Sequence, residues 1–435
     1  MKQRQAIVVC AVAACASLLG ACSILFSEGG GSTLAAGDGG VSVGDAGTAV
    51  IEFSCPDGGV SPCTVLGDQV DDRSFSWPEA GLDSHVMNVA LVVSAADVFG
   101  AAQLRGNTAS ATRTVWGHWS RSEKPRDVNI GSTLVCENSA DCFGFLHLSA
   151  AAKVSFVYSP SGVSTCRGGA FVTTVSPQSN PNFLPSCFGK EKGVQDSYTL
   201  HAVDRPVVYL AGTVVNYAMK NEPASAPSEL SGVVAASGLW GGALQTNVFG
   251  DIDALFSTDT TLRAVTRQRE PDMVKNEAFG APLSLLTAAR TGDTVYLAGL
   301  DTEKKSFVLS ARNWPTAKEL PKLFPSIEEL KLGKPFAGSK GVEPWRKPLL
   351  MQIDAAGKLW LVARSLVPGS EMQCNLVSLR QQSVSPQRWT IYTLAANTPC
   401  EGLSFDASLD GNSKLHIIYG MGVSGASVGY KVISP

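Results

Sequence analysis

Gly402-Leu-Ser-Phe-Asp-Ala-Ser-Leu-Asp-Gly-Asn-Ser-Lys-Leu-His-Ile-Ile-Tyr419 reads as a strand, an Asp-Gly turn and a second strand, with Val428-Gly-Tyr-Lys-Val432 as a third. Asp and Gly mark a turn because Asp bonds its own backbone two residues on and Gly reaches left-handed angles without steric cost. The same phrase occurs upstream. Pro348-Leu-Leu-Met-Gln-Ile-Asp-Ala-Ala-Gly-Lys-Leu-Trp-Leu-Val-Ala363 gives two strands around Asp354–Gly357, and Leu376–Leu379 and Trp389–Leu394 supply a third and fourth. Another unit opens at Pro282, with Leu283–Ala289, a turn at Thr291–Asp293, then Val295–Ala298 and Phe307–Ala311. Weaker copies start near His85, Phe143, Ser197 and Asp251. Runs such as Val89–Val93, Val154–Tyr158 and Val207–Ala211 are short and bounded by Gly, Asp, Asn, Ser or Pro, which suits strands and not helices. One helix is predicted, from a capping box at Ser326 and Glu329 to Gly333, within the proline-rich connection Pro315–Pro348.

The unit starts are separated by 58, 54, 54, 31, 66 and 54 residues. A period of about 40–60 with up to four short strands is the sequence form of a β-propeller. One twisted sheet cannot bury both faces alone; sheets set around an axis bury them against each other. The units resemble the bacterial propeller repeat in which a strand, an Asp-x-x-Gly turn and a His-Ile-x-Tyr-type strand recur. Asp410–Tyr419 is the clearest match and Asp354–Ala363 the next. The expectation is an all-β chain of seven blades, with six or eight left open because 31 residues is short for a blade. Two β-sandwich domains are the rival fold, since they too show many short strands. Gly425–Pro435 contributes an inner strand or two to the last unit, and an early strand, Ala49–Ser54, is expected to complete that sheet and remove its open edge.

At the front of the chain, Lys2 and Arg4 supply positive charge, Ala6–Leu19 is an apolar run of 14 residues broken only by Ser17, and Gly20 and Ala21 precede Cys22. The run is too short to span about 30 Å of hydrocarbon, which takes roughly 20 residues. A charged start, a short apolar middle and a small-residue end make an export signal, not a membrane-spanning anchor. Leu19-Gly20-Ala21-Cys22 resembles the lipobox of bacterial lipoproteins. The resemblance implies a signal peptide of residues 1–21, cleavage after Ala21, a diacylglyceryl group on the Cys22 thiol, and usually a further fatty acyl chain such as palmitate on the new amino group. Two or more chains hold a protein stably to a bilayer, each buried methylene contributing about 0.8 kcal/mol. Ser23 stands where lipoproteins retained at the inner membrane of some Gram-negative bacteria carry Asp, so the resemblance favours the outer membrane of the cell envelope. An ordinary secretory signal is the alternative. Residues 22–49 then comprise the lipidated cysteine and a flexible tether, because Gly29-Gly30-Gly31-Ser32, Gly37–Gly40 and Gly44–Gly47 leave little to bury. As a coil, about 27 such residues span roughly 30 Å. Residues 50–435 form the propeller domain.

Loss of residues 1–21 leaves 414 of 435 and, with Lys2 and Arg4 gone, takes the net charge from −3 to −5. Only 17% of residues are charged, so no polybasic surface for nucleic acid is implied. Eleven cysteines are present; Cys10 and Cys15 leave with the signal, Cys22 takes lipid and eight remain. An even number in an oxidising compartment argues for disulfides. Sequence proximity couples Cys55 with Cys63, Cys136 with Cys142, Cys166 with Cys187 and Cys374 with Cys400, although other connectivities stay open. Zinc would want closely spaced ligands such as C-x-x-C, which the sequence lacks, and neither metal nor cofactor is expected.

A glycan hydrolase needs two carboxyl groups facing each other across a sugar, and sialidase-like propellers add arginines that grip a carboxylate. Asp251, Asp253, Asp301 and Glu343 are candidate carboxylates; Arg263, Arg267, Arg269, Arg290, Arg312 and Arg364 are candidate arginines. The Ser-x-Asp-x-Gly-x-Thr-Trp box is absent, and turns are rich in Asp on conformational grounds alone. Histidines are scarce: His85, His118, His147, His201 and His416, of which His147 and His201 fall on strands that open a unit. Asp68–Asp72 and Asp251–Asp253 are acidic but match no EF-hand loop. Trp116-Gly-His-Trp119 presents rings suited to a sugar face or to packing between sheets. No nucleophile elbow, phosphate loop or dinucleotide fingerprint occurs after the signal, and no catalytic residue is assigned. The sequence therefore predicts a lipid-anchored binding or scaffold protein for an envelope protein or glycan. The alternative is an extracytoplasmic glycan hydrolase or lyase acting at the channel mouth.

Overall fold

A computed structural model describes the strand segments between Ile51 and Ser257 and, beyond them, residues 260–268, 273–301, 306–320, 349–367, 369–384, 387–400, 403–421 and 427–435. The expected signal peptide, Cys22, the expected tether and the helix predicted at residues 326–333 lie outside the described residues.

Among the described residues, two strands, β1 (Ile51–Ser54) and β2 (Val70–Ser76), precede seven sheets. The first holds β3 (Ser84–Val93), β4 (Asp97–Gly106), β5 (Thr112–Ser120) and β6 (Gly131–Cys136). The second holds β7 (Leu146–Ala150), β8 (Val154–Tyr158), β9 (Ala170–Val175) and β10 (Ser186–Phe188). The third holds β11 (Tyr198–Leu200), β12 (Pro206–Ala211), β13 (Val214–Met219) and β14 (Ser228–Val234). The fourth holds β15 (Gly241–Thr246), β16 (Ile252–Ser257), β17 (Leu262–Gln268) and β18 (Met273–Gly280). The fifth shows β19 (Leu283–Thr291), β20 (Thr294–Asp301) and β21 (Ser306–Asn313) among the described residues. The sixth holds β22 (Leu349–Ile353), β23 (Leu359–Leu366), β24 (Gln373–Val384) and β25 (Gln387–Pro399), and the seventh β26 (Phe405–Leu409), β27 (Leu415–Gly420) and β28 (Ser427–Ile433).

Within each sheet, consecutive strands pair antiparallel. The opening strand of each sheet touches the next sheet, and β26 and β27 of the seventh touch β3 of the first, so the series closes into a ring. Seven meanders around one axis are a seven-bladed β-propeller. The closing strand differs from expectation. β2 pairs antiparallel with β28 and completes the seventh sheet, whereas β1, which overlaps the segment expected to do so, pairs parallel with β25 as a fifth strand of the sixth. β28 is accordingly the third strand of its sheet, not the inner one. The fourth sheet opens at Gly241, not Asp251, which removes the short interval before Leu283.

Burial explains the apolar runs. Every residue of β27 is buried, and its alternate side chains serve different interfaces. Leu415, Ile417 and Tyr419 pack with Trp360, Val362, Leu376 and Leu394 of the sixth sheet. Ile418 turns the other way, to Val86, Leu91, Ala102 and Trp119 of the first. In β23, Trp360 and Val362 face the seventh sheet, while Leu359, Leu361 and Ala363 join Tyr296, Ala298 and Ala311 of the fifth. A strand between two sheets has no solvent face, so its sequence loses the apolar–polar alternation of an ordinary surface strand. Full burial of such a side chain contributes about 1.5–3 kcal/mol. Close packing also selects glycine: a Cβ on Gly429 would come within 2.2 Å of the Tyr419 ring, which lies opposite it in the pairing.

An opening strand pairs on one side only, and buried N–H groups on its other side need acceptors. Side chains of the preceding sheet provide them. Leu91 N–H donates to Asp406 Oδ2 at 2.8 Å, Leu283 N–H to Ser257 Oγ at 2.8 Å and Met351 N–H to Thr287 Oγ1 at 3.3 Å. In the same sense, Gln352 Nε2 donates to Ala407 C=O at 2.5 Å.

Strand direction defines two faces. The hairpins from first to second strand, at Thr291–Thr294, Asp354–Lys358 and Asp410–Lys414, share one of them, the hairpin face. The sheet-to-sheet connections and the second-to-third-strand loops lie on the other, the connection face. There Cys374 and Cys400 are disulfide-bonded with Cα atoms 5.0 Å apart, the pairing expected from their proximity. Ile51 lies opposite Gln387, the first residue of β25, so the chain enters the ring at the hairpin face.

Candidate functional site

The carboxylate hairpins are the most constructed polar features among the described residues. Asp354 Oδ1 accepts the backbone N–H groups of Ala356 at 3.0 Å and Lys358 at 2.8 Å, and Gly357 N–H returns to the Asp354 carbonyl at 2.9 Å. Gly357 takes φ 72°, where glycine carries no Cβ penalty. The second oxygen, Oδ2, accepts Trp360 Nε1 at 3.2 Å and Arg380 Nη2 at 3.1 Å, with Asp354 fully enclosed and Arg380 13% exposed. Arg380 also lies over the Trp360 ring, 5.4 Å from its centroid. Tyr392 stacks on the same ring at 6.3 Å. Burial pushes the Tyr392 phenol above its ordinary 10.0, against the pull of the Arg380 charge, and burial alone does the same to Tyr296.

Asp410 repeats the device. Its Oδ1 accepts Asn412 N–H at 2.8 Å and Lys414 N–H at 2.9 Å, and Ser413 occupies the left-handed position at φ 63°. Glycine would sit there at less conformational cost, but Ser413 Oγ accepts Ala355 N–H at 3.2 Å and so ties this hairpin to its neighbour. Oδ2 meets His416 Nε2 at 3.4 Å, where Trp360 stands in the sixth sheet, and His416 Nδ1 is 2.5 Å from the Tyr430 hydroxyl. An ionised carboxylate only accepts, so Nε2 carries the hydrogen; in a neutral ring Nδ1 then accepts from Tyr430. An Asp–His couple can serve as a general base, but His416 is 2% exposed, which closes it to a substrate. It braces the sheet.

The predicted glycosidase residues distribute differently. Asp253 on β16 and Arg290 on β19 form an ion pair between the fourth and fifth sheets at 2.5 Å, with Thr266 Oγ1 donating to Asp253 at 2.9 Å. Arg290 also lies over Trp314 at 5.1 Å. Arg312 on β21 donates to the Phe279 carbonyl of the fourth sheet and meets Glu319 at 3.3 Å. Arg263 is held by Asn276, its Nε donating to Oδ1 at 2.7 Å, and Arg364 donates to the Cys400 carbonyl at 3.2 Å. Asp301 ends β20 and is buried. Arg267 lies on β17, His85 on β3, His118 and Trp116 on β5, and His147 on β7, the opening strand of the second sheet. Asp71 and Asp72 lie on β2, Cys136 ends β6 and Cys187 lies on β10. Asp68, Asp251, Arg269, Glu343, His201, Cys55, Cys63, Cys142 and Cys166 fall outside the described residues. Trp119 is buried edge-on to Tyr430, ring centroids 5.2 Å apart, and packs the first sheet on the seventh. Among the described residues, no group of three or more His, Cys, Asp or Glu is placed to hold a metal ion.

Arg380 and Tyr430, which complete the two hairpins, escaped sequence reasoning. Arg380 lies directly opposite Trp360 in the strand pairing and Tyr430 opposite Ile418. A Trp or His six residues after the turn Asp was the signal that could have found the ring partner.

The fold and these hairpins define the class: a seven-bladed propeller whose charged groups latch turns and neighbouring sheets. No protein-family model matches the chain, and no curated protein matches it in sequence. Among solved structures, a point mutant of NanB sialidase from Streptococcus pneumoniae is similar at TM-score 0.39 and 8% identity, over 83% of this chain and 70% of that one.

Proposed function

We propose that this chain is a lipid-anchored β-propeller of the bacterial cell envelope, favouring the outer membrane, which works as a binding scaffold for protein or glycan. Leu19-Gly20-Ala21-Cys22, placed after a charged start and a short apolar run, carries the reading. Its support from the ring is chemical: Asp253, Arg290, Asp354, Arg380, Asp410 and His416 all hold turns or neighbouring sheets. That is the use of charge expected of a rigid platform.

The test is fractionation with labelled palmitate. The native chain is expected in the membrane fraction and labelled; Cys22→Ser is expected in the soluble fraction and unlabelled. A Cys22→Ser protein that stays with membranes as firmly as the native form overturns the reading. Glycan-array and cross-linking measurements on the lipidated protein then decide between the two partner classes.

A further inference from the structure

We draw no further inference here: the strongest candidate, the surface patch at the exposed Met372 and Met421 on the connection face, beside the turn that leads from Cys400 into the seventh sheet, carries nothing because nothing in the structure shows what covers it.

Discussion

Asp354 concentrates several roles in one side chain. It accepts two turn amides, the Trp360 ring N–H and the Arg380 guanidinium, and no solvent reaches it. Replacing it by alanine leaves a largely buried cation and a buried donor without their acceptor. Removal of one partner of a buried ion pair costs about 3–5 kcal/mol, and the slight exposure of Arg380 points to the lower end. Asp293, exposed in the neighbouring sheet's turn, is the comparison, and Asp293→Ala is expected within about 0.5 kcal/mol of the native chain. Urea unfolding midpoints of the two variants check both values. The hairpin itself was legible because it is local: an Asp, a residue in the left-handed position and a Lys-Leu start to the next strand all fall within six residues. Arg380 was not, because its meeting with Asp354 depends on strand register across 26 positions. Asp253 and Arg290 were both singled out by residue type, yet their pairing belongs to the contact between two sheets, which no local pattern encodes.

At the scale of the element, β27 carries the sharpest expectation. Ile417 faces the sixth sheet and Ile418 the first, both fully buried. Ile417→Ala and Ile418→Ala are each expected to cost about 2–5 kcal/mol. In a strand with one solvated face, one of two adjacent substitutions would be nearly silent, so a near-zero effect for either contradicts the ring. Strand legibility followed the same physics. Val154–Tyr158 coincides with β8, and Leu359–Ala363 lies within β23, because enclosure on both sides demands an unbroken apolar run. Gly241–Thr246 was missed: two glycines and no β-branched residue before Thr246 leave β15 without a propensity signal, while the stronger Ile252–Ser257 took its place as the unit start.

Across the whole molecule, closure depends on residues far apart in sequence. Seven sheets could be counted from the repeat, but the choice of closing strand could not, since β1 and β2 each offer a short run to a distant edge. Their separate positions predict a graded response to truncation. Among the described residues, deletion of residues 23–54 removes the fifth strand of the sixth sheet and nothing else, and it is expected to lower the melting temperature slightly. Deletion of residues 23–76 strips β28 of its outer partner and is expected to lower it severely or prevent folding. Calorimetry on the two truncations decides; equal melting temperatures would reverse the assignment of β2 as the clasp.

The parallel docking of β1 also has a mechanical meaning. A pull toward Cys22 drags Ile51 along the strand axis, so the bonds between β1 and β25 resist together in shear and do not unzip one after another. Drag on the protein would meet a clip built to hold, with the clasp strand behind it spared until that clip yields.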